Sequence, residues 1–382
     1  MASQLMLTII KLKMRNIMLR LFVCALLLSA PLGAFAQFHT LKIPQTSNQV
    51  TETQQLAVTD ITISYGSPSV NGRDVWNNPN IIPQKGEPIA WRAGANMNTT
   101  ISFSTDVLIE GQPLKAGTYG FHVVPDENNF ELLFAHSHNQ WGSYYLDREN
   151  DISLAVNVTG ETCEFSEKLD YEFLDWTPNS VTIGLEWADK RIPFNVSVDL
   201  ETTVVESFRS ELRGINTYHW QAWNDAARWC LEHNTNLEEA LQWANRSING
   251  GFNGFAADKN LTNMSTKALL LEQLGRSDEV YTVLDEASGM VDNAMEANST
   301  SMLMLRLNQP KKALDFVGSK IKEYPEAWFL KINKGISHYF LNDSKRAVKE
   351  LESVLPETPE QFQPRVKEII GEVQSGTYRL PF

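Results

Sequence analysis

Near residue 200 of this 382-residue chain, the spacing of apolar side chains changes from every second residue to every third or fourth. Alternation sends successive side chains to opposite faces of a strand, whereas the longer spacing gathers them along one side of a helix. The chain must therefore build two unlike architectures in series. Before the switch, Ile61, Ile63 and Tyr65 alternate with Thr62 and Ser64, and Ile101 and Phe103 repeat the pattern, as do Ile152, Leu154, Val156 and Val158. Further runs are Leu169, Tyr171 and Phe173, then Val181, Ile183, Leu185 and Trp187, then Ile192, Phe194, Val196 and Val198. Turn clusters separate them at Glu110-Gly111-Gln112-Pro113, Lys115-Ala116-Gly117 and Pro125-Asp126-Glu127-Asn128-Asn129. Short strands with frequent turns and no helix between them predict an antiparallel β-sandwich over 56–200. The polar, aperiodic stretch 37–55 reads as a flexible lead-in.

After the switch, Glu201–Arg213 reads as a connecting helix, and a countable repeat follows. A small residue recurs at Ala268, Ser301 and Gly335, spaced by 33 and then 34. Val280, Ala313 and Ala347 follow these at a constant offset, and Leu284, Val317 and Leu351 one helical turn later. Leu274-Gly275-Arg276, Leu307-Asn308-Gln309 and Leu341-Asn342-Asp343 mark the turns, and Pro310 suits the first turn of a helix. Pro325 and Pro359 hold matching places in their repeats. The period resembles the tetratricopeptide repeat, a helix–turn–helix unit with small residues where its helices cross. Trp223, Ala226 and Ala227, with Asn236 as a cap before Ala240, Leu241 and Ala244, suggest an earlier degenerate unit, so three to four units span 201–376. The fold class expected is α+β multidomain, an N-terminal antiparallel β-sandwich followed by a C-terminal all-α tetratricopeptide-like solenoid. The five tryptophans Trp220, Trp223, Trp229, Trp243 and Trp328 read as repeat packing or as the wall of a groove for a partner helix or peptide.

The amino terminus reads as a cleavable signal peptide over 1–36. Lys11, Lys13, Arg15 and Arg20 precede the apolar run Leu21–Leu28, and Ala34-Phe35-Ala36 supplies small residues for cleavage before Gln37. That run is too short for a bilayer, which takes about 20 residues. An exported, periplasmic or secreted bacterial protein is expected, with no membrane insertion after cleavage. The segment carries four cations and no acid, so its removal takes the net charge from −13 to −17. So acidic a chain lacks the cationic footprint through which nucleic acids are bound. Cleavage leaves Cys163 and Cys230, too few for a disulfide scaffold or a cysteine metal site.

Within the β portion, Ile61-Thr62-Ile63-Ser64-Tyr65 is followed by Ser67-Pro68-Ser69-Val70-Asn71-Gly72-Arg73. Trp91-Arg92-Ala93-Gly94-Ala95-Asn96, Thr99-Thr100-Ile101, Ala116-Gly117-Thr118-Tyr119 and Gln140-Trp141-Gly142 come next. In this order the motifs resemble an exported bacterial family catalogued as a domain of unknown function, number twenty-nine eleven. The resemblance covers roughly Leu56 to Val198, and it implies a helical-repeat tail but no activity. The region from Val75 to Gly86 departs from the family's usual Phe-Gly and Val-Pro-Tyr-Gly-like runs, so a loop of different shape is expected there.

The candidate ligand-binding residues are Arg73, Trp91, Arg92, Asn96, Thr99, Gln140 and Trp141. A guanidinium fork binds a carboxylate or phosphate through two parallel hydrogen bonds, and an indole stacks on the apolar face of a sugar. The competing reading pairs Arg73 and Arg92 internally with acids such as Asp60, Asp74 or Asp151. His136-Ser137-His138 sets two imidazoles on one face of a strand, with His122 as a third, but the surrounding sequence favours surface histidines over a metal site. No nucleophile elbow, His-Glu-x-x-His helix or phosphate loop occurs. No catalytic residue, metal or cofactor is assigned. The function expected is a non-enzymatic envelope binding or scaffold protein, with a small polar ligand or partner loop at the β site and a protein partner on the repeats. The alternative is an envelope hydrolase acting on carbohydrate or peptide.

Overall fold

Alternating side chains become strands where expected, and all the strand pairs given by register are antiparallel. The computed structural model describes residues 44–83 and 90–380; the expected signal peptide at 1–36 lies outside the described residues. The strands are β1 (Asn48–Leu56), β2 (Thr59–Ser67), β3 (Thr99–Phe103), β4 (Val107–Ile109), β5 (Gln112–Leu114), β6 (Gly117–Asp126), β7 (Asn129–Ala135), β8 (Ile152–Thr159), β9 (Glu161–Leu174) and β10 (Ser180–Ser197). They form a six-stranded sheet in the order β1-β2-β3-β6-β7-β8 and a four-stranded sheet in the order β5-β4-β10-β9. The inner faces of the two sheets meet in one apolar core. There Phe121 and Phe134 of the larger sheet meet Phe194 of the smaller, with ring centroids 5.5 and 6.1 Å apart.

Two strands depart from the sequence reading. The runs Val181–Trp187 and Ile192–Val196 point inward in opposite phase, yet both lie on β10. Register shifts at Glu186, Ala188 and Lys190 absorb the mismatch, and Ala188 takes a positive φ of 54°. On each side of Ala188 the neighbouring β9 takes four residues against two of β10, and the left-handed Ala188 is where the inward phase of β10 turns over. The lead-in expected over 37–55 is corrected from Asn48 onward, where the chain forms edge strand β1. Its polar side chains hid it. Thr51 and Thr53 bond to Ser64 and Thr62 at 2.9 Å on the solvent face, while Glu52 lies 2.9 Å from the Tyr65 hydroxyl.

The helical portion contains α1 (Leu200–Glu211), α2 (Trp220–Glu232), α3 (Leu237–Asn249), α4 (Leu261–Gln273), α5 (Ser277–Ser288), α6 (Ala294–Arg306), α7 (Pro310–Glu323), α8 (Trp328–Phe340), α9 (Ser344–Val354) and α10 (Gln363–Ser375). Asp199 caps α1 by accepting from the Thr202 amide. From α2 to α9 the helices pair in order, giving four helix–turn–helix units closed by α10, and the leading helices α2, α4, α6 and α8 also pack in a row. The small residues are at the crossings: a Cβ on Gly335 would lie 2.8 Å from Leu351 Cγ. Gly275, Asn308 and Asn342 are left-handed at the three turns, with φ of 72°, 55° and 63°. Glycine and asparagine tolerate that conformation best. Asn236 differs from its expected role. It too is left-handed, makes no side-chain cap, and donates to Glu239 Oε2 at 2.9 Å. The apolar cores remain separate, one running from Leu56 to Val198 and the main helical one from Val205 to Tyr378.

Candidate functional site

Two surfaces carry the polar and aromatic side chains singled out by sequence or left exposed by the fold. The first is a rim made by the segment 90–98 and the loop 136–151 that follows β7. Backbone bonds place it. Trp91 exchanges two 2.8 Å bonds with Val123, the Ala95 amide donates to Gly66, and Asn98 and Gln140 pair at 3.2 Å. The Ala93 carbonyl, at a residue with φ of 50°, accepts from Thr99 Oγ1 at 3.0 Å and from Tyr171 Oη at 2.8 Å.

The rim uses most of the expected ligand-binding residues to hold itself together. Trp91 is buried, stacked on Trp187 at 6.1 Å with Trp76 edge-on at 5.7 Å, so its indole offers no outer face. The Thr99 hydroxyl is sealed in its bond to Ala93. Arg92 is half-buried. Its guanidinium donates to the Asn96 carbonyl, lies against Gly142 and sits over the Tyr144 ring at 5.4 Å. Gly142 has φ of 62° and no side chain to displace the guanidinium. Arg73 lies apart on an exposed turn, where it donates to the Val70 and Ser69 carbonyls at 2.9 and 2.5 Å. Among the described residues neither arginine pairs with a carboxylate, so the expected acids Asp60, Asp74 and Asp151 are not their partners. Asn96, with φ of 67°, and Gln140 shape the backbone of the rim. Trp141 does face water, at 54% exposure, beside Tyr144 and Tyr145 (76%). The two tyrosines had gone unnoticed in the sequence because nothing periodic marks a loop.

Beneath the rim lies a polar pair of which sequence reasoning singled out only the histidine, as a third candidate imidazole. His122 (0% exposed) and Ser143 (5%) share a 2.7 Å hydrogen bond through Nδ1. His122 Nε2 is buried with no hydrogen-bond partner among the described residues. Burial, and then the nearby Arg92 charge, pull the imidazole down to about 4 against a weaker opposing pull from Asp151. The histidine is therefore neutral near pH 7, and both it and the serine are buried. His136 and His138 are exposed in the loop after β7, the surface histidines that the sequence reading favoured, and they do not share a strand face. No group of three metal-binding side chains occurs among the described residues. Cys163 and Cys230 are free thiols.

The second surface is a groove over α4, flanked by α2 and α6. Arg228, Leu231, Glu232, Leu269, Glu272 and Arg306 line a cleft of about 590 Å³ around the carboxyl-terminal half of α4. A neighbouring cleft of about 650 Å³ shares Thr262 and Ser265 with it and runs to the amino-terminal end, past Trp220, Met290 and Met295. Of the lining residues, Trp220 was singled out beforehand as a repeat tryptophan and Leu307 as a turn residue. The repeat register held the rest: Gln273 and Arg306 are equivalent positions 33 residues apart, as are Leu274 and Leu307.

Among the described residues no helix is long and apolar enough to cross a membrane. Among curated proteins no match is found. MamA 41-end from Desulfovibrio magneticus RS-1 is 14% identical, the match covering 42% of this chain and 97% of that one at a TM-score of 0.27. YrrB, described as a TPR protein with an unusual peptide-binding site, is 14% identical over 43% of this chain and 99% of its own, with a TM-score of 0.24. A tetratricopeptide repeat protein from Parabacteroides merdae ATCC 43184 is 14% identical over 47% and 88%, also at 0.24. At such scores the solenoid rests on its own helix pairs. In the β portion, residues 47–196 match the family model described as "Protein of unknown function (DUF2911)".

Proposed function

We propose that this protein is a non-enzymatic binding scaffold of the bacterial envelope whose helical repeats hold a segment of a partner polypeptide. The observation carrying this reading is the groove, which runs along α4 between two neighbouring leading helices and mixes apolar with polar side chains. Stacked helix pairs produce extended surfaces of this kind, on which a peptide or helix docks. Nothing on the rim favours the hydrolase alternative. Its one serine–histidine pair is sealed, and its arginine ties two loops together. Trp141, Tyr144 and Tyr145 suit a secondary contact with the partner or a small polar ligand. Export is supported by the cationic and apolar pattern of residues 11–28 and by Ala34-Phe35-Ala36, and amino-terminal analysis of the mature protein should find Gln37.

A photo-crosslinking residue at Ser265 in the groove tests the scaffold reading. A discrete polypeptide adduct is expected there, absent with the same residue at Glu279 and lost on Leu269→Arg. Equal labelling from both positions, or none from Ser265, would overturn it.

A further inference from the structure

The groove is not electrically uniform along its length. Its amino-terminal end carries Asp258, Asp292 and Glu296 around the apolar Trp220, Met290 and Met295. The one cation in that lining, Lys259, is occupied by an ion pair with Glu286. Met295 is 62% exposed, and further exposed aromatics stand close in the chain to the lining residues Trp220 and Asp258. Tyr218 lies two residues before Trp220, and its ring meets Phe255 edge-on at 5.7 Å. Phe255 belongs to the glycine-rich loop 249–254 and its margin, which also raises Phe252 to 86% exposure. Arg246 anchors the loop by donating to the Phe255 carbonyl. Exposed aromatics and methionines beside unneutralised carboxylates lose apolar area to water unless covered, and a cationic cover also gains charge complementarity.

We propose that this end of the groove and the Phe252–Phe255 loop together seat a partner segment that is both cationic and apolar, lysine or arginine interleaved with large aliphatic residues. This rests on the reading that the groove holds a polypeptide, and adds the chemistry of its occupant. An anionic segment is repelled by the three carboxylates, and a purely cationic one leaves Met295 and the phenylalanines bare.

The test uses the full chain and short fluorescein-labelled peptides, one of lysine and leucine, one of glutamate and leucine, and one of lysine and serine. The lysine–leucine peptide should bind most tightly, with affinity falling as salt is raised. Asp258→Asn with Asp292→Asn should weaken it about two- to fivefold per carboxylate. Both side chains are exposed, so the thermal midpoint should hold. Glu164→Gln with Asp189→Asn, two exposed acids on β9 and β10, corrects for general attraction to an acidic protein and should leave binding unchanged. Equal weakening by the two double variants would overturn the proposal, as would equal affinity for the lysine–serine peptide. If the lysine and glutamate peptides bind alike and both are lost on Leu269→Arg, the charge inference falls while the groove survives. If Leu269→Arg leaves lysine–leucine binding intact, the groove reading falls with it.

Discussion

The β rim and the α4 groove use similar side chains to opposite ends. On the rim, Arg92 and Thr99 donate to nearby backbone carbonyls and Trp91 packs on Trp187, so a motif that looks like a binding site closes on itself. In the groove, Met295 is exposed while Leu269 and Ser265 are half-buried and line the cleft, because the helices that would cover them are already spent on their own pairs. An arginine beside a tryptophan in a loop is therefore weak evidence for a ligand, whereas a helical face left over once a repeat's crossings are filled is stronger evidence for a partner.

The largest expected effect tests the repeat itself. Leu351→Ala removes a fully buried side chain facing Gly335, and denaturant unfolding should show a loss of about 2–5 kcal/mol. A loss well under 1 kcal/mol would mean the crossing is not close-packed. Next comes acid. The His122 imidazole titrates near 4 in the folded chain and near its ordinary 6.5 when unfolded, so between these values the unfolded state binds more protons. Its stabilising contribution is complete above about pH 6.5 and falls by about 3 kcal/mol as pH drops through 4. Unfolding measured across that range should lose this part of its pH slope in His122→Gln. An unchanged slope would show that the buried imidazole is not responsible.

Smaller effects separate rim from groove directly. Arg92→Ala should cost about 1–2 kcal/mol and loosen the loop, seen as a change in Trp141 fluorescence, with Arg92→Lys restoring little because it lacks the planar fork. A cost of about 3–5 kcal/mol would instead indicate a buried acid partner. Leu269→Arg, at a half-buried side chain packed partly on the helical core, should cost about 1–2 kcal/mol and leave helicity intact, its larger effect falling on partner capture.

Much of the fold was legible because core packing is periodic. Ala268, Ser301 and Gly335 announced the crossings, and Gly275, Asn308 and Asn342 the turns, since each repeat meets the same steric demand. What was lost had no period to carry it. The opposite phases of Trp187 and Ile192 suggested two strands until a bulge at Ala188 joined them. Hydroxyls and amides concealed β1, and the fate of Arg92 depended on Gly142 and Tyr144, some fifty residues away. The groove was recoverable in principle, by following the repeat register to the positions no crossing uses.

The hydroxyl ladder between β1 and β2 has a kinetic consequence. Thr51, Thr53, Ser64 and Thr62 exchange bonds that water replaces at little cost, and Leu56 alone of the β1 side chains is fully buried. Peeling that margin exposes scarcely any oily area. Amide protons along it should swap with deuterium well before those of β10, and a protease should find its first purchase there while the rest of the sheet still stands.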